Sequence, residues 1–424
     1  LRMLETIKNA WKVKEIRNKI LFTIFIIAIF RIGSVIPVPY IDVAALKSSG
    51  TTNEFFSYLS ILTGGGLEYG AIFAMSITPY INASIIIQLL CVAIPYLERL
   101  SKEGEEGQKK LATITRYTTV ILALIQGIAY FFYLKASNYL NVTKGVWFAA
   151  IVIVLSFTAG SAIVMWLGEQ IDVKGIGNGI SILLFAGILS RGPQAFQALW
   201  YYWKELDRYF AVIGIVIAFL LIIAFIVWMT NAERRIPVQY AKRVVGNKMY
   251  GGQNTHIPIK VNMSGVMPVI FASSILMLPT MILSFKSNTT SSFAKFLALF
   301  STRGAFYAVI YFIMIIAFAY FYATIQFNPV EMANNLRKNG GAIPGIRPGK
   351  PTSDFISKIL SRITLMGALF LSVIAILPII VGSVGGINIS LGGTSVLIMV
   401  GVALDTVQNL ESQMMMRHYK GFLD

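Results

Sequence analysis

The stretch "ITPYINASIIIQLL", residues 77–90, places a proline and small polar residues inside a long apolar run. Its first half contains the pattern P-x-I-x-A-S at residues 79–84, which recurs as "PVIFAS" at residues 268–273. A second pattern, G-x-S-[IV]-L-[LI], occurs at residues 179–184 and again at 393–398. Because both patterns recur in the same order, we predict a chain made of two related halves.

The composition of the surrounding chain is typical of a polytopic membrane protein. Of 424 residues, 56% are hydrophobic and 13% are charged, and the mean hydropathy is +0.70. About 20 apolar residues cross a bilayer as a helix, and lipid requires every backbone polar group to be bonded internally. Ten segments are therefore predicted to span the membrane: 20–38, 71–94, 114–134, 147–168, 176–190, 210–230, 262–284, 304–326, 359–381 and 391–410.

Five spans per half would invert the second half, because an odd number of crossings leaves the chain on the opposite side. The repeated patterns then fall on corresponding spans, 2 with 7 and 5 with 10. The predicted fold class is an all-α polytopic membrane protein with ten transmembrane helices in two inverted five-helix halves. We also predict interruptions at Gly175 and Gly177 in span 5 and at Asp405 in span 10. Interrupted spans at matching places indicate a working centre near mid-membrane.

The distribution of positive charge predicts the orientation of the chain. The net charge is +17, and lysine and arginine are nearly three times as frequent in one alternating set of loops, which includes both termini, as in the other. Both termini are therefore predicted to be cytoplasmic. The first span is predicted to be retained, since no cleavage-site pattern follows it.

The predicted organisation has five parts. The first nineteen residues place Leu4, Ile7 and Trp11 on one helical face among basic residues, which favours an amphipathic helix on the membrane surface over a simple basic tail. The parts are: residues 1–19, a cytoplasmic amphipathic helix; 20–190, the N-terminal half with spans 1–5; 191–209, an external loop; 210–410, the C-terminal half with spans 6–10 and cytoplasmic loops 231–261 and 327–358; and 411–424, a cytoplasmic tail.

The sequence does not favour enzymatic chemistry. Cys91 is the only cysteine, and the two histidines are far apart, so neither an intrachain disulfide nor a zinc site is predicted. The stretch 345–351 resembles a phosphate-binding loop superficially, but its spacing is one residue short and Pro351 stands where serine or threonine is needed. We predict no catalytic residue, no metal and no cofactor.

Branched aliphatic residues occupy the repeated positions. Ile77 and Ile81 lie four apart on span 2, and Ile180 and Leu184 lie four apart on span 5, so each pair shares a helix face. Ordinary packing against neighbours or lipid is one interpretation. The other is an apolar constriction, which blocks ions because they would have to shed water in a narrow non-polar ring. Charge inside the spans is almost absent, and Arg31 is predicted to snorkel or to find a partner.

Two further stretches have unusual patterns. Residues 53–62, between spans 1 and 2, form a short apolar helix candidate followed by Thr63 and three glycines, which fits either a segment folded back into a cavity or a surface helix. In residues 231–261, the arms 235–245 and 255–261 predict a hairpin around Gly251 and Gly252.

These patterns together resemble the bacterial SecY family, whose members form the channel of the protein-export translocon. The resemblance extends along the whole chain. Its most specific stretches are residues 30–34 (FRIGS), 36–39 (IPVP), 79–88 (PYINASIIIQ), 166–170 (WLGEQ), 175–181 (GIGNGIS), 234–243 (RRIPVQYAKR), 271–274 (FASS) and 344–349 (PGIRPG).

The resemblance implies three sets of channel residues. An aliphatic ring closes around a passing polypeptide, an external plug near residues 53–66 seals the resting pore, and a lateral gate between spans 2, 3, 7 and 8 releases apolar segments into lipid. The implied ring is Ile77, Ile81, Ile180, Leu184, Ile270 and Ile398; the implied plug residues are Phe55, Phe56, Leu59, Leu62, Gly64, Gly65 and Gly66; and the implied gate residues are Thr78, Asn82, Gln88, Ser273 and Ser274.

The resemblance also implies docking partners for the two basic cytoplasmic loops. The docking partners are the motor ATPase SecA and the ribosome. The resemblance further implies a location in the inner (cytoplasmic) membrane and contacts with the membrane subunits SecE and SecG, signal sequences, nascent polypeptides and membrane lipids. The alternative is that the loop charges only obey the positive-inside rule. The implied docking residues are Arg234, Arg235, Lys242, Arg243, Arg337, Lys338, Arg347 and Lys350.

Two other functions remain compatible with the spans alone. A secondary solute transporter also uses inverted repeats, although the scarcity of charge inside the spans weighs against it. A chain-inserting protein without an aqueous pore is the other alternative.

Overall fold

The computed structural model is built mainly from long helices. It describes residues 11–49, 60, 63–141, 145–204, 209–240, 243–245, 248–250, 254–263, 265–285, 305–385 and 393–420. The helices of the N-terminal part are α1 (Lys14–Gly33), α2 (Val43–Ser49), α3 (Thr78–Ala93), α4 (Pro95–Lys102), α5 (Glu105–Ala136), α6 (Val146–Lys174), α7 (Gly179–Leu189), α8 (Gly192–Lys204) and α9 (Tyr209–Thr230).

A short sheet separates these helices from the C-terminal ones. The following elements are β1 (Glu233–Tyr240), β2 (Arg243–Val245), β3 (Lys248–Tyr250), β4 (Asn254–Lys260), α10 (Met267–Phe285), α11 (Ala305–Gln326), α12 (Pro329–Lys338), β5 (Gly341–Ala342), α13 (Lys350–Gly385) and α14 (Gly393–Lys420). Each of the ten predicted spans therefore contains one helix.

By length and composition, six stretches among the described residues could cross a membrane, or seven if the bent pair α3–α4 counts as one span. The bend between α3 and α4 is 103°. It occurs at Pro95, whose ring removes a backbone donor and disfavours a continuous helix. The six stretches are Glu105–Ala136, Val146–Lys174, Gly179–Lys204, Val212–Thr230, Phe306–Lys338 and Lys350–Leu377.

The chain divides into two compact units. Unit 1 comprises Leu1–Val212, Leu276–Gly304 and Asn388–Asp424, and unit 2 comprises Ile213–Ile275 and Ala305–Ile387. Helix α14 thus groups with α1 and α7, whereas α11 and α13 pack together in unit 2. The boundaries of these units differ from those of the two predicted halves. The division into inverted halves stays a prediction.

Unit 1 has an aromatic and aliphatic core where α5 and α6 meet the segment before α3. Leu134, Ile153 and Phe157 have no exposed surface. The ring of Tyr130 packs edge-on against Phe157, and its hydroxyl donates to the Leu67 carbonyl at 3.2 Å. This core therefore fixes the chain that leads into α3.

Unit 2 is organised around the sheet β4–β1–β5. Strands β1 and β4 are antiparallel from the Glu233–Lys260 pair to the Gln239–Asn254 pair, which confirms the predicted pairing of the two arms. Strand β5 pairs with β1 through Gln239–Ala342. The sheet packs on α12 and α13 through a buried cluster: Ile236, Val238, Ile259, Leu336, Ile343, Ile356, Leu360 and Ile363.

Several predicted boundaries were wrong. Residues 72–77 form turns, and α3 begins only at Thr78, where Pro79 suits the first helical turn. Helix α1 begins at Lys14 and runs unbroken into the first span, so residues 14–19 are not a separate amphipathic helix. Leu4 and Ile7 lie outside the described residues.

The C-terminal predictions also need correction. Helix α14 continues through Asp405 to Lys420, so Asp405 does not interrupt span 10 and residues 411–420 extend the helix. Asp405 is exposed in this structure, and the helix packs on α1 further along, where Leu410 and Ile16 are buried together.

The two basic loops are more ordered than predicted. Within 327–358 lie α12, β5 and the start of α13, which begins nine residues before the predicted span. Gly251 and Gly252 lie outside the described residues. Val245 pairs with Lys248 in the antiparallel β2–β3 pair, so the arms come together earlier in the chain than predicted. The register explains this, since β2 and β3 form their own antiparallel pair inside the β1–β4 arms.

Candidate functional site

The start of α3 presents two predicted ring residues in unit 1. Ile77 precedes the helix, and its carbonyl accepts the backbone N–H of Ile81 at 3.1 Å. The two side chains are 1% and 9% exposed, respectively. Neither side chain is therefore presented to lipid.

The connection between α6 and α7 positions the other pair of predicted ring residues, Ile180 and Leu184. Three side-chain oxygens accept backbone donors at this turn: Thr23 from Ile176 at 3.2 Å, Asp172 from Gly179 at 2.7 Å and Asn178 from Ser181 at 3.1 Å. Side-chain oxygens of this kind satisfy the free N–H groups of a helix start. They hold the first turn of α7, which carries Ile180, in one orientation.

A glycine on α6 lets these elements converge. A Cβ built on Gly168 would lie 3.6 Å from Cδ1 of Ile77 and 3.7 Å from Cγ1 of Ile180. The two predicted ring residues therefore flank the same point of α6. Gly179 approaches the carbonyl of Gly168 so closely that a side chain there would clash with it. Small residues permit such close helix contact inside a membrane.

Helix α14 brings a fifth predicted ring residue into unit 1. Ile398 is 1% exposed and Leu184 is 3% exposed, and α7 packs against α14. At Gly177 the nearest side chains are Ile182 of α7 and Thr406 of α14. The sixth, Ile270, is buried near the start of α10 and belongs to unit 2.

The predicted gate residues lie on α3, in unit 1, and on the first part of α10, in unit 2. On α3, Thr78, Asn82 and Gln88 are half-buried, and Gln88 donates to the hydroxyl of Ser84 at 3.3 Å. On α10, the buried Ser273 donates to the Ile270 carbonyl of its own helix at 2.8 Å.

Ser274, also on α10, is half-buried. The amide oxygen of Gln88 is buried and has no partner among the described residues. This polar side of α3 thus keeps unused hydrogen-bonding capacity.

Of the seven predicted plug residues, the structure describes the three glycines. Phe55, Phe56, Leu59 and Leu62 lie outside the described residues. Gly64 and Gly65 have φ angles of +66° and +91°, in the left-handed region that glycine adopts without strain.

Gly64 connects the plug glycines to the surrounding helices. Its carbonyl accepts a hydrogen bond from the Arg31 guanidinium at 3.3 Å. This contact confirms that the charge predicted in span 1 finds a partner.

The sheet of unit 2 joins both basic loops in one surface. The side chains of Arg234 and Arg235 on β1 are exposed, and the Arg235 guanidinium donates to the Glu233 carboxylate at 2.7 Å. The β1–β5 pairing attaches residues 341–342 to the same sheet. Arg243 lies on β2, and Lys242 is outside the described residues. The other predicted docking residues are exposed as well: Arg337, Lys338, Arg347 and Lys350.

Sequence reasoning missed an ion pair in unit 1 between a buried arginine and a half-buried glutamate. Arg191 follows α7 in the stretch predicted as an external loop, and its guanidinium lies 2.6 Å from the Glu68 carboxylate. Neither residue lies inside a predicted span interior, so the search for charge in the spans could not reveal the pair. Among the described residues, no group of three or more histidine, cysteine or acidic side chains could hold a metal ion.

Comparison with known proteins identifies the family. The family model named SecY matches residues 71–407 of this chain. "Protein translocase subunit SecY" of Bacillus subtilis is 45% identical over 433 residues, covering 99% of this chain and 100% of the relative. The protein of the same name from Streptomyces scabiei is 44% identical over 441 residues, with the same coverage. The chain belongs to the SecY family.

Solved structures of similar fold agree with SecY membership. "The structure of a protein conducting channel" matches with a TM-score of 0.63 at 17% identity, covering 93% of this chain and 92% of the other. Sec61 in the canine ribosome–channel complex from the endoplasmic reticulum matches with a TM-score of 0.58 at 16% identity and the same coverage. This SecY-family chain therefore shares the fold of the SecY and Sec61 channels.

Proposed function

We propose that this chain is a protein-conducting channel that passes unfolded polypeptides across a membrane and releases apolar segments laterally into lipid. The observation that carries the proposal is the convergence of Ile77 and Ile180 on Gly168, in a chain whose relatives are translocase subunits. A secondary solute transporter is not favoured, because no comparison points to that class.

The proposed seal is a ring of aliphatic side chains. Ile77, Ile81, Ile180, Leu184, Ile270 and Ile398 would surround the narrowest part of the pore. An ion that enters a dry aliphatic constriction loses its hydration without compensation, so the ring excludes ions. An extended polypeptide can pass, because branched side chains yield around it and offer no strong binding site.

The proposed exit into lipid lies along the polar side of α3. Hydrogen bonds between membrane helices contribute only about 0.6 kcal/mol each. A seam formed by Thr78, Asn82 and Gln88 with Ser273 and Ser274 would therefore separate readily when a more apolar segment enters. The amide oxygen of Gln88, which has no partner among the described residues, supports this proposal.

The proposed docking surface is the basic sheet of unit 2. Exposed Arg234, Arg337 and Arg347 can attract phosphates of ribosomal RNA or acidic groups of a motor protein. Ribosome-bound relatives of similar fold support the ribosome as one partner. We extend the proposal to the motor ATPase SecA and to the small membrane subunits SecE and SecG. The energy for translocation would come from these partners, and the chain itself would catalyse no reaction.

The proposed setting is the inner (cytoplasmic) membrane, crossed ten times with both termini in the cytoplasm. The charge distribution along the sequence supports this orientation. All residues of the basic sheet would then face the cytoplasm, where ribosomes and motor proteins are found.

A cysteine crosslinking experiment tests the proposed function. In a Cys91→Ser background, Ile81→Cys should form a disulfide with a single cysteine in a preprotein arrested during translocation into proteoliposomes. Ile151→Cys, on α6 outside the proposed gate, is the matched control; the Ile151 side chain is 56% exposed, and this variant should not react. Equal labelling at both positions, or none at Ile81→Cys, would contradict a pore at this ring.

A further inference from the structure

The segment before α3 is anchored by polar side chains that are almost completely buried. Ser60 and Thr63 are 1% and 0% exposed, and Arg191 is 8% exposed. Burying polar and charged groups costs free energy unless they are paired. Their position at the end of the predicted plug therefore calls for a specific partner arrangement.

Arg191, Glu68 and Ser60 form a closed triangle of contacts. The Arg191 Nη2 atom lies 2.6 Å from Glu68 Oε1 and also contacts Ser60 Oγ. The Ser60 hydroxyl donates to the same carboxylate oxygen at 2.7 Å. The Arg191 Nε is buried with no partner among the described residues, so stabilisation of this charge depends on Glu68 and Ser60.

Gly64 is held within the same cluster. The Ser190 hydroxyl donates to its carbonyl at 3.3 Å, and Arg31 donates to that carbonyl from α1. A Cβ on Gly64 would lie 2.6 Å from the Arg31 guanidinium and 2.6 Å from Ser190 Oγ. The segment is thus fitted closely between α1 and the end of α7.

The cluster connects the segment to a helix of the proposed ring. Helix α7 carries Ile180 and Leu184, and Arg191 follows it about two helical turns beyond Leu184. Any displacement of α7 that widened the ring would pull Arg191 away from Glu68. Arg191 is 8% exposed, so its charge would lose most of its compensation if Glu68 moved away, and this cost disfavours the separation.

We propose that Arg191 and Glu68 form a latch that keeps Ser60 and residues 63–70 in their resting position and couples them to α7. Arg191 is a positioning residue: it acts on the plug through Glu68 and touches no translocating chain in the resting state. This inference rests on the proposed channel function. It predicts that the resting channel leaks ions when the charges of the latch no longer match.

Charge reversal and charge exchange test the latch. We expect Arg191→Glu to raise the ion conductance of the purified protein in planar bilayers, without preprotein, at least about tenfold. The double variant Arg191→Glu with Glu68→Arg should recover most of the tight seal. The neutral variant Glu68→Gln, which keeps the shape of the side chain, should leak to an intermediate extent and serves as the test if the reversal does not fold.

Lys102→Glu is the control for charge reversal as such. It reverses an exposed ion pair of the same 2.6 Å length, with Glu98, inside α4. We expect its conductance to equal that of the unaltered protein. A tight Arg191→Glu channel, or a double variant that leaks as much as the single one, would refute the latch.

The crosslinking experiment separates failure of the latch from failure of the proposed function. A chain that crosslinks preprotein at Ile81→Cys but shows no change on reversal at Arg191 is a channel without this latch. A chain that never crosslinks preprotein refutes the channel, and the latch with it.

Discussion

A substitution at the turn between α6 and α7 would test whether this turn positions the proposed ring. In Gly175→Ala, the new Cβ would lie 2.7 Å from Thr23 Oγ1 and 2.7 Å from the Ile171 carbonyl oxygen. Carbon and oxygen atoms need more than 3 Å, so one of the two groups must move by several tenths of an ångström. The Ile171 carbonyl already accepts the Gly175 N–H at 2.7 Å, and it is fixed in α6.

The cost of this substitution has two parts. Overpacking a tight site costs about 1–3 kcal/mol. Displacing Thr23 also weakens its hydrogen bond from the Ile176 N–H, which is worth about 0.5–1.5 kcal/mol. We expect a loss of about 2–4 kcal/mol, which lowers Tm by about 5–15 °C for a unit of this size.

The functional consequence is displacement of Ile180 and Leu184 on α7. If the ring seals the pore, the resting conductance in planar bilayers should rise about tenfold or more, since each 1.4 kcal/mol shifts a closed–open equilibrium tenfold. Tm would be measured on the purified protein in detergent.

The matched control is Gly214→Ala in α9. Nothing lies within 4 Å of its Cβ, and alanine is the better helix former by about 1 kcal/mol. This variant should keep or raise Tm and leave the conductance unchanged. If Gly175→Ala matched it in both measurements, the positioning role of the turn would be refuted.

Two further predictions concern the basic sheet. Ile356→Ala removes a side chain with no exposed surface from the cluster beneath the sheet and should lower the free energy of unfolding by about 2–4 kcal/mol. Amide hydrogen exchange in β1 and β4 should then be faster than in the control Val330→Ala, because the Val330 side chain is 58% exposed. The double variant Arg243→Glu with Arg347→Glu should weaken ribosome or SecA binding at least about tenfold in a co-sedimentation assay at physiological salt, while Tm stays unchanged. Unaltered binding would refute docking through these charges.

The helices were largely predictable, but their ends were not. Hydropathy locates the helices because a helix that contacts lipid or apolar neighbours needs about 20 consecutive, mostly apolar residues. The early start of α13 at Lys350 and the late start of α3 at Thr78 depend instead on contacts with the sheet and on the turns before Pro79. Local composition carries no signal for such contacts.

The candidate site was predictable only in part. The repeated patterns pointed to Ile81, Leu184 and Ile398 because related halves place equivalent residues at equivalent positions. The pairing of Glu68 with Arg191, 123 positions apart, has no counterpart in spacing or periodicity. From sequence alone, a single charge near the end of a span is assigned to a loop, because its partner becomes its neighbour only in the folded chain.

The sequence by itself determined that this chain is a helical membrane protein with two repeated sequence patterns and two basic loops. Those properties follow from composition and periodicity, which act residue by residue along each helix. Only the tertiary structure decided that both loops share one sheet, that Gly168 brings Ile77 and Ile180 to the same point, and that Arg191 is buried against Glu68. Each of these depends on strand register or on helix approach between distant segments, and such contacts exist only once the chain has folded.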